Sequence, residues 1–279
     1  MKLAIAVIHG MGSEDQFFSV ELKHRITEEY VNEEEGRHED DLIFQEIYWG
    51  DLVKERQSSL LKKTNYKKDL TYMNLRELFV DHLGATLAYR TSMYDVIHSR
   101  VRDNLAKLCT HRRVDAENTP LVILAHSFGS IVMSDYIYDI QKQQAELADG
   151  KIDGISNLEQ FRTLAGLITF GTPMALFSLQ EDTGFDKAIN VVGAELPDGI
   201  KERVKWDNYY DKDDIIAYPL KGINDTYGEA INGDYEINVG SAATSWNPAC
   251  HNGYWEDKDF YKPVAKYLAE LRAEHTFWK

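Results

Sequence analysis

The sequence predicts an α/β fold, a mostly parallel sheet of about six strands with helices on both faces. Two observations support this prediction: short apolar runs recur along the chain, and segments with helical spacing lie between them. The 279 residues are enough for one sizeable core. No internal repeat or Pro/Gly/Ser-rich linker marks a boundary, so we expect one domain over residues 1–279.

Six short apolar runs are the predicted strands. In chain order they are Leu3 to Ile8, Leu42 to Trp49, Leu121 to Ala125, Leu164 to Phe170, Arg203 to Tyr210 and Tyr235 to Val239. The first run is shorter than the core of a signal peptide and leads into His9 and Gly10 rather than a cleavage site. We therefore interpret it as a buried strand.

Helical spacing of apolar residues predicts the segments between the strands. Phe17, Val20, Leu22, Ile26 and Tyr30 lie near one helical face, and a second helix is expected over Ile131 to Leu147. The last helix is expected over Phe260 to His275.

The segment 52–113 has no strand signal and is interpreted as a helical insertion. Its apolar residues, including Leu78, Phe79 and Leu105, suggest two or three helices before the sheet resumes. Two roles stay open: a cap over a functional site, or a plain structural helix pair.

The charge balance argues against polyanionic partners. Lys and Arg total 31 and Asp and Glu total 46, which gives a net charge of −15. A negative protein lacks the electrostatic attraction on which binding to nucleic acid or anionic membranes depends. No apolar run approaches the roughly 20 residues that span a bilayer, and the two cysteines suggest a reducing compartment. We expect a cytoplasmic protein with no nucleic-acid partner and no stable membrane insertion.

The pentapeptide around Ser127 is the first sign of chemistry. Ser127 follows a β-branched strand and precedes a helix, with Ala125 two residues before it and Gly129 two residues after it. Small residues at those positions allow a strained strand-to-helix elbow that exposes a nucleophilic serine. The alternative is an ordinary serine at a helix N-terminus.

A serine nucleophile needs a histidine base, and the chain order selects His251. On this kind of fold the serine comes first, an acid follows a late strand, and the histidine precedes the last helix. Six of the nine histidines precede Ser127 by ten or more residues, while His126 adjoins it and His275 lies in the C-terminal tail. His251 lies in a turn-rich stretch after the last predicted strand.

Position in the chain alone does not select the aspartate that would orient His251. Asp211, Asp213 and Asp214 all follow the strand Arg203 to Tyr210. Asp211 is nearest to the strand and is the one most easily explained as the residue that opens the turn.

Acyl transfer also needs N–H donors for the developing oxyanion. The glycine-rich turn His9-Gly10-Met11-Gly12 follows the first strand, so we expect the N–H groups of Met11 and Phe128 to form this oxyanion hole. We expect His9 to brace the loop. The turn lacks the further positions of a phosphate-binding motif.

These motifs resemble those of the α/β-hydrolase superfamily, specifically its serine esterases and lipases. The resemblance covers nearly the whole chain, with five segments in the family's order: His9 to Gly12, Ala125 to Gly129, Phe170 to Pro173, Asp214 to Tyr218 and His251 to Trp255. Ala125 stands where glycine is more usual.

The resemblance also bears on the acid and the substrate contacts. The segment Asn208 to Tyr218 is similar to an arrangement in some intracellular lipases that selects Asp214, whereas the spacing of many esterases selects Asp213. We favour Asp214 and keep Asp213 as the alternative. The segment after the fourth strand lines the site in relatives, which implies substrate contacts for three residues: Thr172, Met174 and Phe177.

The expected function is that of a serine hydrolase that cleaves carboxylic esters, with a small-molecule ester or lipid-like substrate. Ser127 would attack, His251 would act as base and Asp214 would orient it, with no cofactor and no metal. The same residues would serve a thioesterase, an amidase or an acyltransferase. A non-catalytic binding protein with a hydrolase-like fold is the alternative of a different class.

Overall fold

A computed structural model describes most of the chain. The described residues are 1–11, 16–33, 36–65, 85–89, 93–179, 185–241, 244–245 and 248–273. No helix within these ranges is both long and apolar enough to cross a membrane.

The core of the fold is one six-stranded sheet in which every pairing is parallel. The strands are β1 (Leu3–Ile8), β2 (Leu42–Ile47), β3 (Leu121–His126), β4 (Leu164–Phe170), β5 (Lys205–Tyr210) and β6 (Gly233–Glu236). All six predicted strands are present, and the α/β fold class is confirmed.

The strand order is β2-β1-β3-β4-β5-β6. The direction in which the chain adds strands to the sheet therefore reverses once, after β2. The chain first adds β2 on one side of β1 and then returns to place β3 on the other side. Each later strand pairs with the one before it. In open α/β sheets such a reversal leaves a crevice at the carboxyl ends of the two flanking strands, where ligands bind. Here the reversal lies between β1 and β3.

Helices cover both faces of this sheet. They are α1 (Val20–Glu33), α2 (Asp51–Thr64), α3 (Ala85–Ala88), α4 (Tyr94–Cys109), α5 (Phe128–Ala145), α6 (Met174–Phe177), α7 (Asp198–Lys201), α8 (Asp225–Ala230) and α9 (Lys258–Ala273). Helix α1 packs against α9, and α4 packs against α5 and β2. Every residue of β1, β3 and β4 is buried, as expected for strands covered on both faces.

Several boundaries differ from the prediction; for example, β2 ends at Ile47 rather than Trp49. Strand β6 was expected over residues 235–239 but lies at Gly233–Glu236, where it pairs with Asp207 to Tyr210 of β5. The prediction that Phe17 lies on the apolar face of the first helix is wrong, because this residue precedes α1 and is 64% exposed.

The insertion predicted over residues 52–113 stays a prediction. Helices α2, α3 and α4 lie within or overlap this segment, but residues 66–84, which include Leu78 and Phe79, lie outside the described residues. Helix α4 packs against both β2 and α5, so it belongs to the connection that carries the chain from β2 back to β3. A cap is therefore not established.

Candidate active site

Ser127 lies at a sharp turn between β3 and α5, at the reversal point of the sheet. Its backbone angles, φ 51° and ψ −130°, lie in a region that costs a non-glycine residue free energy. The Ser127 N–H donates to the carbonyl of Phe170 at the end of β4, at 2.9 Å. A Cβ at Gly129 would lie 2.4 Å from the carbonyl oxygen of His9, so only glycine fits where α5 passes the β1 loop.

Three side chains that are far apart in sequence form a hydrogen-bonded chain at this turn. The Nε2 atom of His251 lies 2.8 Å from the Ser127 Oγ, and its Nδ1 atom lies 2.8 Å from Asp214 Oδ2. All three residues are buried. His251 is held on a 3₁₀ helix (Pro248–Trp255) that precedes α9. This is the arrangement of a nucleophile, a base and an orienting carboxylate.

The geometry distinguishes the two candidate acids. Asp214 Oδ2 accepts from His251, and Asp214 Oδ1 accepts from the N–H of Ile216 at 3.1 Å. Asp213, its neighbour, uses its own N–H to bond Asp211 Oδ1 at 2.8 Å, and no described contact joins its carboxylate to His251. The structure thus brings Asp214, and not Asp213, to the histidine.

Asp211 anchors the turn that carries Asp214. One of its carboxylate oxygens accepts from the N–H of Asp213, and the other accepts from the N–H of Val239 at 2.7 Å. The turn after β5 is therefore tied to the segment after β6.

Tyr254 is a site residue that the sequence analysis missed. Its hydroxyl donates to Asp214 Oδ2 at 3.1 Å and accepts from the N–H of Asp211 at 2.8 Å. Burial raises the pKa of this phenol, so the hydroxyl stays a donor at all ordinary pH values. Tyr254 lies one 3₁₀ turn after His251, and this spacing of three residues was the only signal in the sequence.

His126 supports the 3₁₀ helix that carries His251. Its Nε2 atom lies 3.0 Å from the carbonyl oxygen of His251, and a carbonyl can only accept, so this nitrogen carries the proton. The two imidazole rings lie 4.9 Å apart. His126 and Tyr254 together restrict the movement of the His251 backbone and of its carboxylate partner.

His9 braces the loop after β1. Its Nδ1 atom donates to the carbonyl of Gly10 at 2.6 Å, and its Nε2 atom accepts from the N–H groups of Trp49 and Gly50 at 3.1 and 3.3 Å. This pattern requires a neutral imidazole. Burial lowers the pKa of His9 to about 4, which agrees with that protonation state. His9 thereby joins the ends of β1 and β2.

The two predicted oxyanion donors belong to chain segments that meet at the serine turn. Gly10 packs directly on Ser127, and Met11 is the next residue; Gly12 lies outside the described residues. Phe128 is the first residue of α5, where a helix has no internal acceptor for its N–H. Among the hydrogen bonds of the described residues, none uses the N–H of Met11 or of Phe128.

The three residues expected to contact substrate are buried beside the elbow. The Thr172 hydroxyl bonds the Ser130 hydroxyl and accepts from the N–H of Met174 at 3.2 Å, and Ser130 in turn donates to the Ser127 carbonyl at 2.6 Å. Thr172 therefore supports the elbow. Phe177 packs edge-on against Phe128 at 5.7 Å. Contact of these residues with substrate stays a prediction.

An aromatic cluster surrounds Phe128. The rings of Trp49, Tyr89 and Phe177 lie 5.9, 5.3 and 5.7 Å from the Phe128 ring. They come from three separate parts of the chain, so no local sequence pattern indicates their proximity. The serine turn consequently has an apolar flank.

Comparison of the chain with family models, curated proteins and solved structures finds no match.

The contact between Gly10 and Ser127 predicts the effect of Gly10→Ala. The new Cβ would lie 2.4 Å from the Ser127 Cβ and 2.9 Å from its Oγ, so the hydroxyl must move. A shift of about 1 Å at a reacting atom costs roughly 100-fold in rate. We expect labelling of Ser127 by a fluorophosphonate to slow by about that factor. Gly222→Ala is the matched control, because no atom lies within 4 Å of its added Cβ. Equal labelling rates in both variants would contradict the expectation.

Tyr254→Phe tests the hydroxyl on the carboxylate. Its loss removes one of the donors that hold Asp214 Oδ2 beside the His251 imidazole. The loss of one hydrogen bond to a charged group should lower kcat by about 10-fold or more. The measurement is kcat on an ester substrate, with Tyr261→Phe, a partly exposed tyrosine of α9, as control. An unchanged kcat would assign Tyr254 a packing role alone.

Proposed function

We propose that this protein is a serine hydrolase that cleaves carboxylic esters through an acyl-enzyme. The observation that carries the proposal is the continuous hydrogen-bonded chain from Ser127 through His251 to Asp214, with 2.8 Å at each step. The resemblance of the motifs to α/β-hydrolase esterases and lipases supports it. No cofactor enters the proposed reaction.

In the first step, the Ser127 Oγ attacks the ester carbonyl carbon while its proton passes to His251 Nε2. The Nδ1–H of His251 faces Asp214, so Nε2 carries the lone pair that accepts this proton. The buried carboxylate of Asp214 stabilises the imidazolium that forms. Its other donors, Ile216 and Tyr254, hold it in place during the step.

The carbonyl oxygen gains negative charge as the tetrahedral intermediate forms. The N–H groups of Met11 and Phe128 would donate to it, and the N-terminal end of α5 adds the positive end of a helix dipole. The His9 hydrogen bonds fix the loop that carries Met11, so this donor needs little reorganisation.

The second half of the reaction restores the serine. His251 gives its proton to the leaving alcohol as the ester C–O bond breaks, which leaves an acyl group on the Ser127 Oγ. Water then attacks the acyl carbon while His251 takes its proton. The carboxylic acid leaves, and the proton returns to the Ser127 Oγ.

The substrate that we propose is an uncharged ester with an apolar acyl group, because the residues that flank the serine turn near Phe128 are aromatic. For the location we propose the cytoplasm, where the two free cysteines, Cys109 and Cys250, would stay reduced.

Ser127→Ala is the direct test of the nucleophile. The variant should fold, because the hydroxyl contributes little packing, and kcat on a p-nitrophenyl ester should fall by about 10⁴-fold or more. Fluorophosphonate labelling should disappear. If the variant keeps activity within about tenfold of the wild type, Ser127 is not the nucleophile.

The paired aspartates provide a matched test of the acid. Asp214→Asn should cost about 10⁴-fold in kcat, because the neutral amide does not stabilise the imidazolium and its NH₂ group can donate to Nδ1, which favours the wrong tautomer of His251. Asp213→Asn changes the same charge one residue away and should stay within a few-fold of the wild type. The reverse outcome would restore Asp213 as the acid, and full activity in both variants would place the acid elsewhere.

A further inference from the structure

The backbone carbonyl of Ser127 accepts two hydrogen bonds from one residue, Ser130. The Ser130 N–H donates to it at 3.0 Å, and the Ser130 Oγ donates to it at 2.6 Å. This carbonyl belongs to the same peptide unit as the N–H of Phe128, one of the two proposed oxyanion donors. Because a trans peptide is planar, its C=O and N–H groups point in opposite directions. The two donors on the carbonyl therefore fix the direction in which the Phe128 N–H points.

The hydroxyl of Thr172 continues this contact away from the serine. A carbonyl oxygen can only accept, so the single hydroxyl hydrogen of Ser130 goes to Ser127. The hydrogen between the Ser130 and Thr172 hydroxyls must then come from Thr172. The Thr172 Oγ1 in turn accepts from the N–H of Met174 at 3.2 Å. These groups form one hydroxyl chain from Met174 to the Ser127 carbonyl, in which every hydrogen is donated in the same direction.

The hydroxyl chain is shielded from water. Ser130 is 1% exposed and Thr172 is 0% exposed. In such surroundings a hydrogen bond is stronger than in water, and bonds in series polarise one another. A hydrogen bond to a peptide carbonyl draws electron density toward the oxygen, which makes the N–H of the same peptide a stronger donor. The hydroxyl chain thus acts on the Phe128 N–H, although both of its hydroxyl hydrogens are committed and neither can donate to a substrate.

Thr172 also connects the hydroxyl chain to the turn that carries Asp214. Its carbonyl accepts from the N–H of Tyr218 at 3.2 Å. The residue before it, Gly171, donates to the carbonyl of Tyr209 in β5 at 3.1 Å. The backbone of Thr172 is therefore held independently of the serine turn, so its hydroxyl offers that turn a fixed point of attachment.

We propose that Ser130 and Thr172 are positioning residues of the oxyanion hole, which orient and polarise the peptide between Ser127 and Phe128. The inference rests on the proposed function and adds two residues to it. A pair that only stabilised the fold would leave the rate of the folded enzyme unchanged. A pair that strengthens an oxyanion donor stabilises charge present only in the transition state, so its loss lowers kcat and leaves KM unchanged.

The test is a double-mutant cycle of Ser130→Ala and Thr172→Val, with kcat and KM measured on a p-nitrophenyl ester. Ser130→Ala should lower kcat by about 20-fold, less than the roughly 10²- to 10³-fold loss of a whole oxyanion donor, because the Phe128 N–H remains. Thr172→Val should lower kcat by about fivefold, since Ser130 still donates to the carbonyl. The double variant should equal Ser130→Ala to within about twofold, because Thr172 acts only through Ser130.

A trifluoromethyl ketone inhibitor provides a second measurement. The Ser127 Oγ adds to its carbonyl carbon, the serine proton passes to His251, and the former carbonyl oxygen becomes an oxyanion in the hole. The inhibition constant should rise in each variant by the factor by which kcat falls. The corresponding secondary alcohol cannot form this adduct, so its inhibition constant should stay unchanged.

Two further variants are matched controls. Thr172→Ser restores a hydroxyl and should rescue kcat to within about twofold of the wild type. Ser134→Ala removes a buried hydroxyl one turn further along α5 and should also stay within about twofold, because no hydrogen bond among the described residues joins this hydroxyl to Ser127.

Three results would overturn the inference: equal kcat in Thr172→Val and Thr172→Ser, additive losses in the double variant, or equal losses in Ser130→Ala and Ser134→Ala. If Ser130→Ala does not fold, the two Thr172 variants decide. A wild type without ester hydrolysis that depends on Ser127 would overturn the proposed function, and this inference with it. Normal hydrolysis by the wild type together with any of the three results overturns the inference alone.

Discussion

The close approach of two backbone segments, the loop after β1 and the turn after β3, is the constraint on which the rest of the site depends. It is possible only because Gly10 and Gly129 have no side chains where the segments meet. The reversal of strand order makes β1 and β3 neighbours, so their carboxyl ends supply a serine and an adjacent N–H donor at one edge of the sheet. Sheet topology and two glycines therefore determine the position of the Ser127 hydroxyl.

The residues that support the serine turn and its histidine have different physical roles. His9 joins the ends of β1 and β2 as a neutral, fully buried imidazole, so it supports the loop without adding charge. Tyr254 donates to the carboxylate of Asp214, and His126 donates to the backbone carbonyl of His251. His251 is thus held through its ring, its carbonyl and its contact with Asp214, which limits its freedom to move away from Ser127.

Most of the fold could be predicted from sequence because buried parallel strands give strong local signals. The runs that form β1, β3 and β4 are apolar throughout, whereas the edge strand β6 is short and half-exposed, and its predicted boundaries were shifted. Ser127 and His251 could be selected by local turn signals and chain order. The acid could not be fixed from position alone, since three aspartates follow β5 and only the path of the turn brings Asp214 to the histidine. Tyr254 and the rings around Phe128 were missed because their roles depend on contacts between distant segments.

Strand β5 and its turn carry three buried aspartates whose surroundings differ. Both oxygens of Asp211 accept backbone N–H groups, and both oxygens of Asp214 accept donors, which include His251. Asp207, in the same strand, has one oxygen with no donor among the described residues. Burial raises the pKa of Asp207, and Lys205 and the Tyr235 hydroxyl offset part of this rise. The charges of the three aspartates are therefore compensated in different ways: backbone N–H groups act on Asp211, a histidine and a phenol act on Asp214, and a lysine and a second phenol act on Asp207.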